Sequence, residues 1–283
     1  MHRISIQTII VPLVATLIFA LLTAPVWHWL WGEWMGNDYY SHGLLIPLVV
    51  VVLGVQRFRY DKTLRSVQPG QGNNLGLLLL AMSLGAFLYF LNSKAYYLAA
   101  FAMVGLIASL IWTFGGTGVV RRLLFPISYL LLMIPLPFIE RSTLPLALFT
   151  GVCSGGLARF LGLDVTIVGN AVSLPNANLV IGAQCSGVNS LIALTSLMAL
   201  AAYLLDGPLW GRLMLVILAI PLAMLGNILR VATLLFVARA YSVDAAFTFY
   251  HDYSGLVFFL LILLLMFPLT RLLQARTLRL DVI

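Results

Sequence analysis

Long runs without charge, broken by short polar or basic stretches, are the dominant pattern of this chain. Eight apolar runs fall at 6–30, 43–55, 75–91, 95–114, 123–138, 187–205, 213–231 and 255–273. Roughly 17–25 apolar residues suffice to cross a bilayer core, and a helix in lipid satisfies its own backbone hydrogen bonds, so each run predicts a membrane helix. The second is short and is expected to begin nearer Asp38, or to be lengthened by the stem of Arg57 and by Phe58 at the interface. Two intervening stretches are more than turns. The first, 32–42, carries Glu33, Asp38 and the group Tyr40-Ser41-His42-Gly43. In the second, 139–184, residues 143–163 predict a helix lying at the interface, and 165–174 predict a hairpin with Gly169-Asn170 at its turn. Pro175, Asn176 and Asn178 then lead the chain back to Cys185. The expected architecture is an all-α polytopic membrane protein: one integral membrane domain over 1–283, with 139–184 forming a small cap on the outer face. The first run is long, lacks a small-residue cleavage site and is followed by others, so it predicts a retained helix and not a signal peptide. The chain ends soon after the eighth run, and no additional soluble domain is expected.

Composition agrees with this pattern. Of 283 residues, 62% are apolar and only 9% charged, which excludes a water-soluble domain of this length. A net charge of +7 would suit nucleic acid if it formed a patch, but the basic residues sit in short clusters between apolar runs, so no nucleic-acid partner is expected. They report topology instead. With eight spans and both termini on one side, that side holds Arg3, Arg57, Arg59, Lys62, Arg65, Arg121, Arg122, Arg212, Arg271, Arg276 and Arg279; the other holds Lys94, Arg141, Arg159, Arg230 and Arg239. The bias predicts cytoplasmic termini. The two halves share no motif or pair of broken segments, which argues against an alternating-access transporter.

The candidate chemistry gathers at the outer ends of the last three spans. Gly182-Ala183-Gln184-Cys185-Ser186-Gly187 opens into the sixth span, where Ser186 can cap the helix and the helix N-terminus can stabilise a thiolate at Cys185. The alternative is a cysteine serving as a small apolar residue. Arg230 lies 18 residues after Arg212, about 27 Å along a helix at ~1.5 Å per residue, hence near the opposite face. His251 precedes the eighth span in Tyr250-His251-Asp252-Tyr253-Ser254-Gly255. Acyl transfer needs a nucleophile, a proton carrier and a cationic or hydrogen-bonding group for the oxyanion, roles that Cys185, His251 and Arg230 can fill. Asn227, one turn before Arg230, can orient the guanidinium or add a donor. His42 is the second candidate base, or a helix entry that supports the pocket; Asp252 and Ser254 can orient His251 or cap the last helix. Cys153-Ser154-Gly155 repeats the tripeptide at Cys185, but within the expected interfacial helix, where Gly155-Gly156 points to close packing. A disulfide between the two cysteines would abolish the nucleophile. No Cys and His pair has a short chelating spacing, so neither a metal nor another cofactor is expected.

These pieces, in order, resemble the exosortase and archaeosortase family of membrane cysteine transpeptidases: Tyr40-Ser41-His42-Gly43 before Leu45-Ile46-Pro47; Phe125-Pro126 and Met133-Ile134-Pro135-Leu136-Pro137; Cys185-Ser186-Gly187; Asn227-Ile228-Leu229-Arg230; and His251 with Gly255. The resemblance spans nearly the whole chain and carries the family's Cys, Arg and His onto Cys185, Arg230 and His251. Asn227, Ser186 and Gly187 match motif positions without an assigned chemical role. It implies a bacterial plasma-membrane exosortase whose active site faces the periplasm. Its partners would be membrane-anchored proteins bearing a C-terminal PEP-CTERM-type signal: a Pro-Glu-Pro motif, a membrane helix and a basic tail. Cleavage through a thioester would serve protein sorting linked to exopolysaccharide and envelope systems. The rival readings are a polytopic transporter and a non-catalytic scaffold for polysaccharide export. The first predicts ionisable residues through the depth of the spans, whose middles are nearly free of them. The second leaves Cys185 and Arg230 without a reason.

Overall fold

A computed structural model describes residues 6–61, 64 and 74–279, without the side chains of residues 6–13, Ala177, Phe247, Phe249, His251 and Asp252. Arg3, Lys62 and Arg65, used in the charge count above, lie outside the described residues. The chain divides into two units at Pro135/Leu136. Among the described residues, eight helical stretches are long and apolar enough to cross a membrane, four in each unit. The protein is an all-α polytopic membrane protein with a small amount of β structure.

The first unit contains α1 (Ile6–Gly36), α2 (Leu45–Tyr60), α3 (Asn74–Asn92) and α4 (Tyr96–Tyr129). Val26, Leu30 and Trp34 follow one another at four-residue spacing along one face of α1, and all three are buried. The short second span is completed as expected: a 3-10 turn, Asp38–Leu44, runs into α2 and extends it to membrane length. Within that turn Gly43 lies against the Trp34 indole, which donates from Nε1 to the Met133 carbonyl at 3.0 Å. A Cβ at position 43 would collide with the indole. An ion pair joins Arg122 to Asp61.

The fourth and fifth expected spans follow one another without a loop, as two helical segments that meet at a kink. Helix α4 has 34 residues, about 50 Å at ~1.5 Å each, more than one crossing requires. Gly116, at φ 79° and ψ 177°, leaves the helical region inside it and divides it into two segments. Only a residue without a Cβ takes that geometry at little cost.

In the second unit α5 (Pro137–Phe160) replaces the helix expected to begin at 143 and lie at the interface. It starts earlier because Pro137 suits a first helical turn, where its missing N–H is not needed, and Glu140 is favourable near a helix N-terminus. Its 24 residues place it among the membrane-length helices. The hairpin forms where expected, β1 (Thr166–Val168) with β2 (Ala171–Leu174). Gly169 takes φ +63° at the first central position of the turn, the place a II′ turn reserves for glycine. A third strand, β3 (Ala177–Val180), pairs with β2 and was not anticipated.

Helices α6 (Val188–Leu204), α7 (Leu209–Ala240) and α8 (His251–Leu272) complete the unit, and the two-residue strands β4 (Leu205–Asp206) and β5 (Thr277–Leu278) pair near its end. Two cores hold it together. Leu194 and Met198 of α6, Leu215, Ala219 and Ala223 of α7, and Ile262 and Met266 of α8 form one. In the other, Val172, Leu174, Leu179 and Ile181 of the meander pack on Val231, Leu234, Leu235 and Ala238 of α7, with Cys185 among them. Helix α7 therefore runs well past the expected end at 231: its last turns form the wall on which the meander packs. The outer side of α8 is apolar and exposed at Leu256, Leu260, Leu264 and Phe267. Such a face suits lipid and not water.

Candidate functional site

Cys185 ends a 3-10 turn, Ala183–Cys185, and its N–H donates to the Gly182 carbonyl at 2.9 Å. Helix α6 begins three residues later. Its N-cap is Gly187, in the left-handed region at φ +77°, and not Ser186 as expected. The Ser186 hydroxyl accepts from Val188 N–H at 3.4 Å, a weak local bond within the turn. Cys185 is fully buried, and both cysteines are free thiols, so no disulfide removes the candidate nucleophile.

Asn227 fixes this turn from α7. Its side-chain amide donates to the Cys185 carbonyl at 2.8 Å and to Thr150 Oγ1 at 3.2 Å. Asn227 and Thr150 are both buried. Asn227's two N–H donors thus serve the cysteine turn and α5, where orientation of the Arg230 guanidinium or a spare donor had been expected. The turn and the amide also interlock sterically: a Cβ at Gly187 would come within 2.7 Å of the Asn227 amide. Replacing Asn227 with alanine leaves a buried carbonyl without its donor, a loss of about 1–3 kcal/mol. Asn227→Ala is expected to melt several degrees lower in detergent; an unchanged melting temperature would show that the bond contributes nothing.

Arg230 lies one turn beyond Asn227. Helix α7 contains Arg212 and Arg230 in one uninterrupted stretch, so their ~27 Å separation along the axis stands. The helix continues ten residues past Arg230, which is therefore not at its end. Arg230 Nε donates to Ser254 Oγ at 3.1 Å, and Gly255 lies beside the guanidinium. A narrow crevice runs along this assembly, lined by Ser190, Asn227, Arg230 and Gly255 and by the apolar Phe258 and Ile262.

His251 opens α8, directly after a π-helical segment, Ala245–Tyr250. Its side chain and that of Asp252 lie outside the described residues. Its backbone is held next to α7 from both sides: Tyr250 OH contacts Thr233 Oγ1, and Ser254 binds Arg230. Cys185, Asn227, Arg230 and the first turn of α8 thus belong to one constellation. His42 belongs to the other unit. Its ring hydrogen-bonds to the Leu132 backbone, while Nε2 is buried with no hydrogen-bond partner among the described residues.

The repeated tripeptide at Cys153 is accounted for by packing. Ser154 is buried and its hydroxyl donates back to Thr150 O at 2.6 Å; Gly155 lies so close to Ile167 that an added Cβ would come within 2.6 Å of it. Thr150 was not anticipated, and Ser254, expected to orient His251 or cap the last helix, also binds Arg230. Thr150 lies one turn before Ser154 with no local signal of a partner 77 residues away.

The family model for transmembrane exosortases matches residues 31–268. Neither a curated protein nor a solved structure matches the chain.

Proposed function

Because the chain belongs to the transmembrane exosortase family, a membership that supports a membrane transpeptidase and sorting role in general, we propose that it cleaves C-terminal PEP-CTERM-type signals of membrane-anchored proteins through a cysteine thioester. The observation that supports this reading best is the Cys185 turn, whose carbonyl is gripped by Asn227 one helical turn before Arg230 on α7. His251 takes the Cys185 thiol proton as the sulfur attacks the scissile carbonyl carbon. Arg230 stabilises the resulting oxyanion, or pairs with the carboxylate of the substrate motif. The C–N bond breaks, His251 gives its proton to the departing amine, and the passenger remains as a thioester on Cys185. An acceptor nucleophile, or water, then displaces the thiol. With the thiol buried, the Ala183–Cys185 turn yields as the peptide enters, and exclusion of bulk water favours transfer to a bound acceptor over hydrolysis. The reaction takes place at the periplasmic face of a bacterial plasma membrane, with both termini of the enzyme cytoplasmic, in sorting linked to exopolysaccharide and envelope systems.

The test is co-expression with a reporter whose C-terminus carries a Pro-Glu-Pro motif, a membrane helix and a basic tail, next to the same reporter with the motif scrambled. Tail loss from the intact signal alone, with hydroxylamine capturing the passenger as a hydroxamate, is expected. Indifference to the motif would remove the substrate assignment. Tail loss without a hydroxamate would remove the thioester.

A further inference from the structure

We propose that Ser254 is a positioning residue for Arg230, and that this one bond sets the guanidinium against the turn that carries His251. The inference rests on the role given above to Arg230.

A guanidinium on a long, rotamer-rich stem stabilises a developing charge only if it is held where that charge appears. Ser254 is buried, and its hydroxyl accepts from Nε at 3.1 Å. A bond at Nε, the nitrogen nearest the stem, fixes the rotation of the guanidinium plane as well as its location. The neighbouring residue suits the arrangement: a Cβ at Gly255 would stand 3.7 Å from Arg230 Cζ, so the cation rests directly on the first turn of α8. One turn along α7 from Arg230, Thr233 Oγ1 donates to the Arg230 carbonyl at 2.8 Å and meets the Tyr250 hydroxyl. Residues 250 and 254 stand one before and three after His251. Two side-chain links to a single stretch of α7 thus flank the histidine, and the one at Ser254 acts on the guanidinium itself. A serine that merely capped α8 would make neither the buried bond to Nε nor the coupling it entails.

The experiment compares Ser254→Ala, Ser254→Thr and Ser254→Val in the full-length enzyme, read by the rate of reporter tail loss and by melting temperature in detergent. Thr and Val have the same shape and differ by the hydroxyl, so a shared packing defect cancels between them. Loss of a hydrogen bond to a charged group predicts rates roughly 10- to 100-fold lower for Ala and Val, with Thr retaining most of the activity at a melting temperature like that of Val. In an Arg230→Lys background, which lacks the Nε–H, Ser254→Ala is expected to cost little further, because the two changes remove the same bond. Equal rates for Thr and Val, or additive losses with Arg230→Lys, would overturn the proposal while leaving Arg230's role intact. Full activity of Arg230→Ala would instead overturn the role on which it rests.

Discussion

Tail loss is expected to fall by roughly a thousandfold or more when Cys185 is replaced by alanine, and to persist when Cys153 is replaced. The two cysteines share the tripeptide Cys-Ser-Gly, so sequence context alone does not separate them. Their surroundings do. Cys153 lies in the interior of α5, in a segment whose Ser154 bonds back to Thr150 O and whose Gly155 makes room for Ile167. Those are the features of a helix packed against the β-meander. Cys185 lies in a 3-10 turn outside regular α-helix, its carbonyl held by Asn227, one turn of α7 before Arg230. Removing the sulfur of Cys185 takes away the atom proposed to carry the acyl group, whereas removing that of Cys153 costs packing. Reporter processing followed by mass spectrometry in the two variants checks this. Equal tail loss in wild type and Cys185→Ala would end the cysteine mechanism and return the scaffold and transporter readings.

Much of this architecture is legible in the sequence because lipid imposes a simple rule: apolar length makes a crossing, and charge ends it. The rule misleads where apolar residues serve protein and not lipid. It stops the seventh span at 231, although residues 231–240 continue α7 and bury Val231, Leu234, Leu235 and Ala238 against the meander. It does find the break between 95–114 and 123–138, at the glycine-rich stretch where Gly116 leaves the helical region. The β1–β2 turn is readable because Gly169-Asn170 carries its own backbone chemistry. Strand β3 is not: Pro175, Asn176 and Asn178 read as coil, yet Pro175-Asn176 is the two-residue loop between Leu174 and its partner Ala177.

The candidate site divides in the same way. Cysteine and arginine beside or within apolar helices are conspicuous by type, since an ion in such a place is costly. Which hydroxyl or amide each one meets depends on how helices cross, so the Asn227–Cys185 and Arg230–Ser254 bonds, 42 and 24 residues apart in sequence, left no local trace. Gly187 lies between these cases. Its match to a family motif was visible, but the reason for it is a backbone angle and a neighbour on another helix.

Gly187→Ala is accordingly expected to damage both the stability and the activity of the site, although it removes no catalytic group. A non-glycine residue held at φ +77° costs about 1–2 kcal/mol in the left-handed region. The added Cβ would also lie 2.7 Å from the Asn227 amide carbon and nitrogen. That amide is buried and committed to Cys185 O and Thr150, so moving it sacrifices a buried hydrogen bond for about 1–3 kcal/mol more. The combined penalty, about 2–5 kcal/mol, falls on the turn that carries the thiol. A displacement of about 1 Å there lowers the rate on the order of a hundredfold even if the protein remains folded. Melting temperature and reporter processing should therefore both drop, while Gly156→Ala, at a helical position with nothing within 4 Å of the new Cβ, should leave both near wild type. The decisive comparison is the double variant. With Asn227→Gly both the amide and the Cβ at 2.8 Å from the new methyl are removed, so Gly187→Ala should cost clearly less in that background than alone, leaving only the strain of the backbone angle. Additive penalties would mean that the glycine is required for its backbone conformation only, and that the close approach of Asn227 has no part in shaping the cysteine turn.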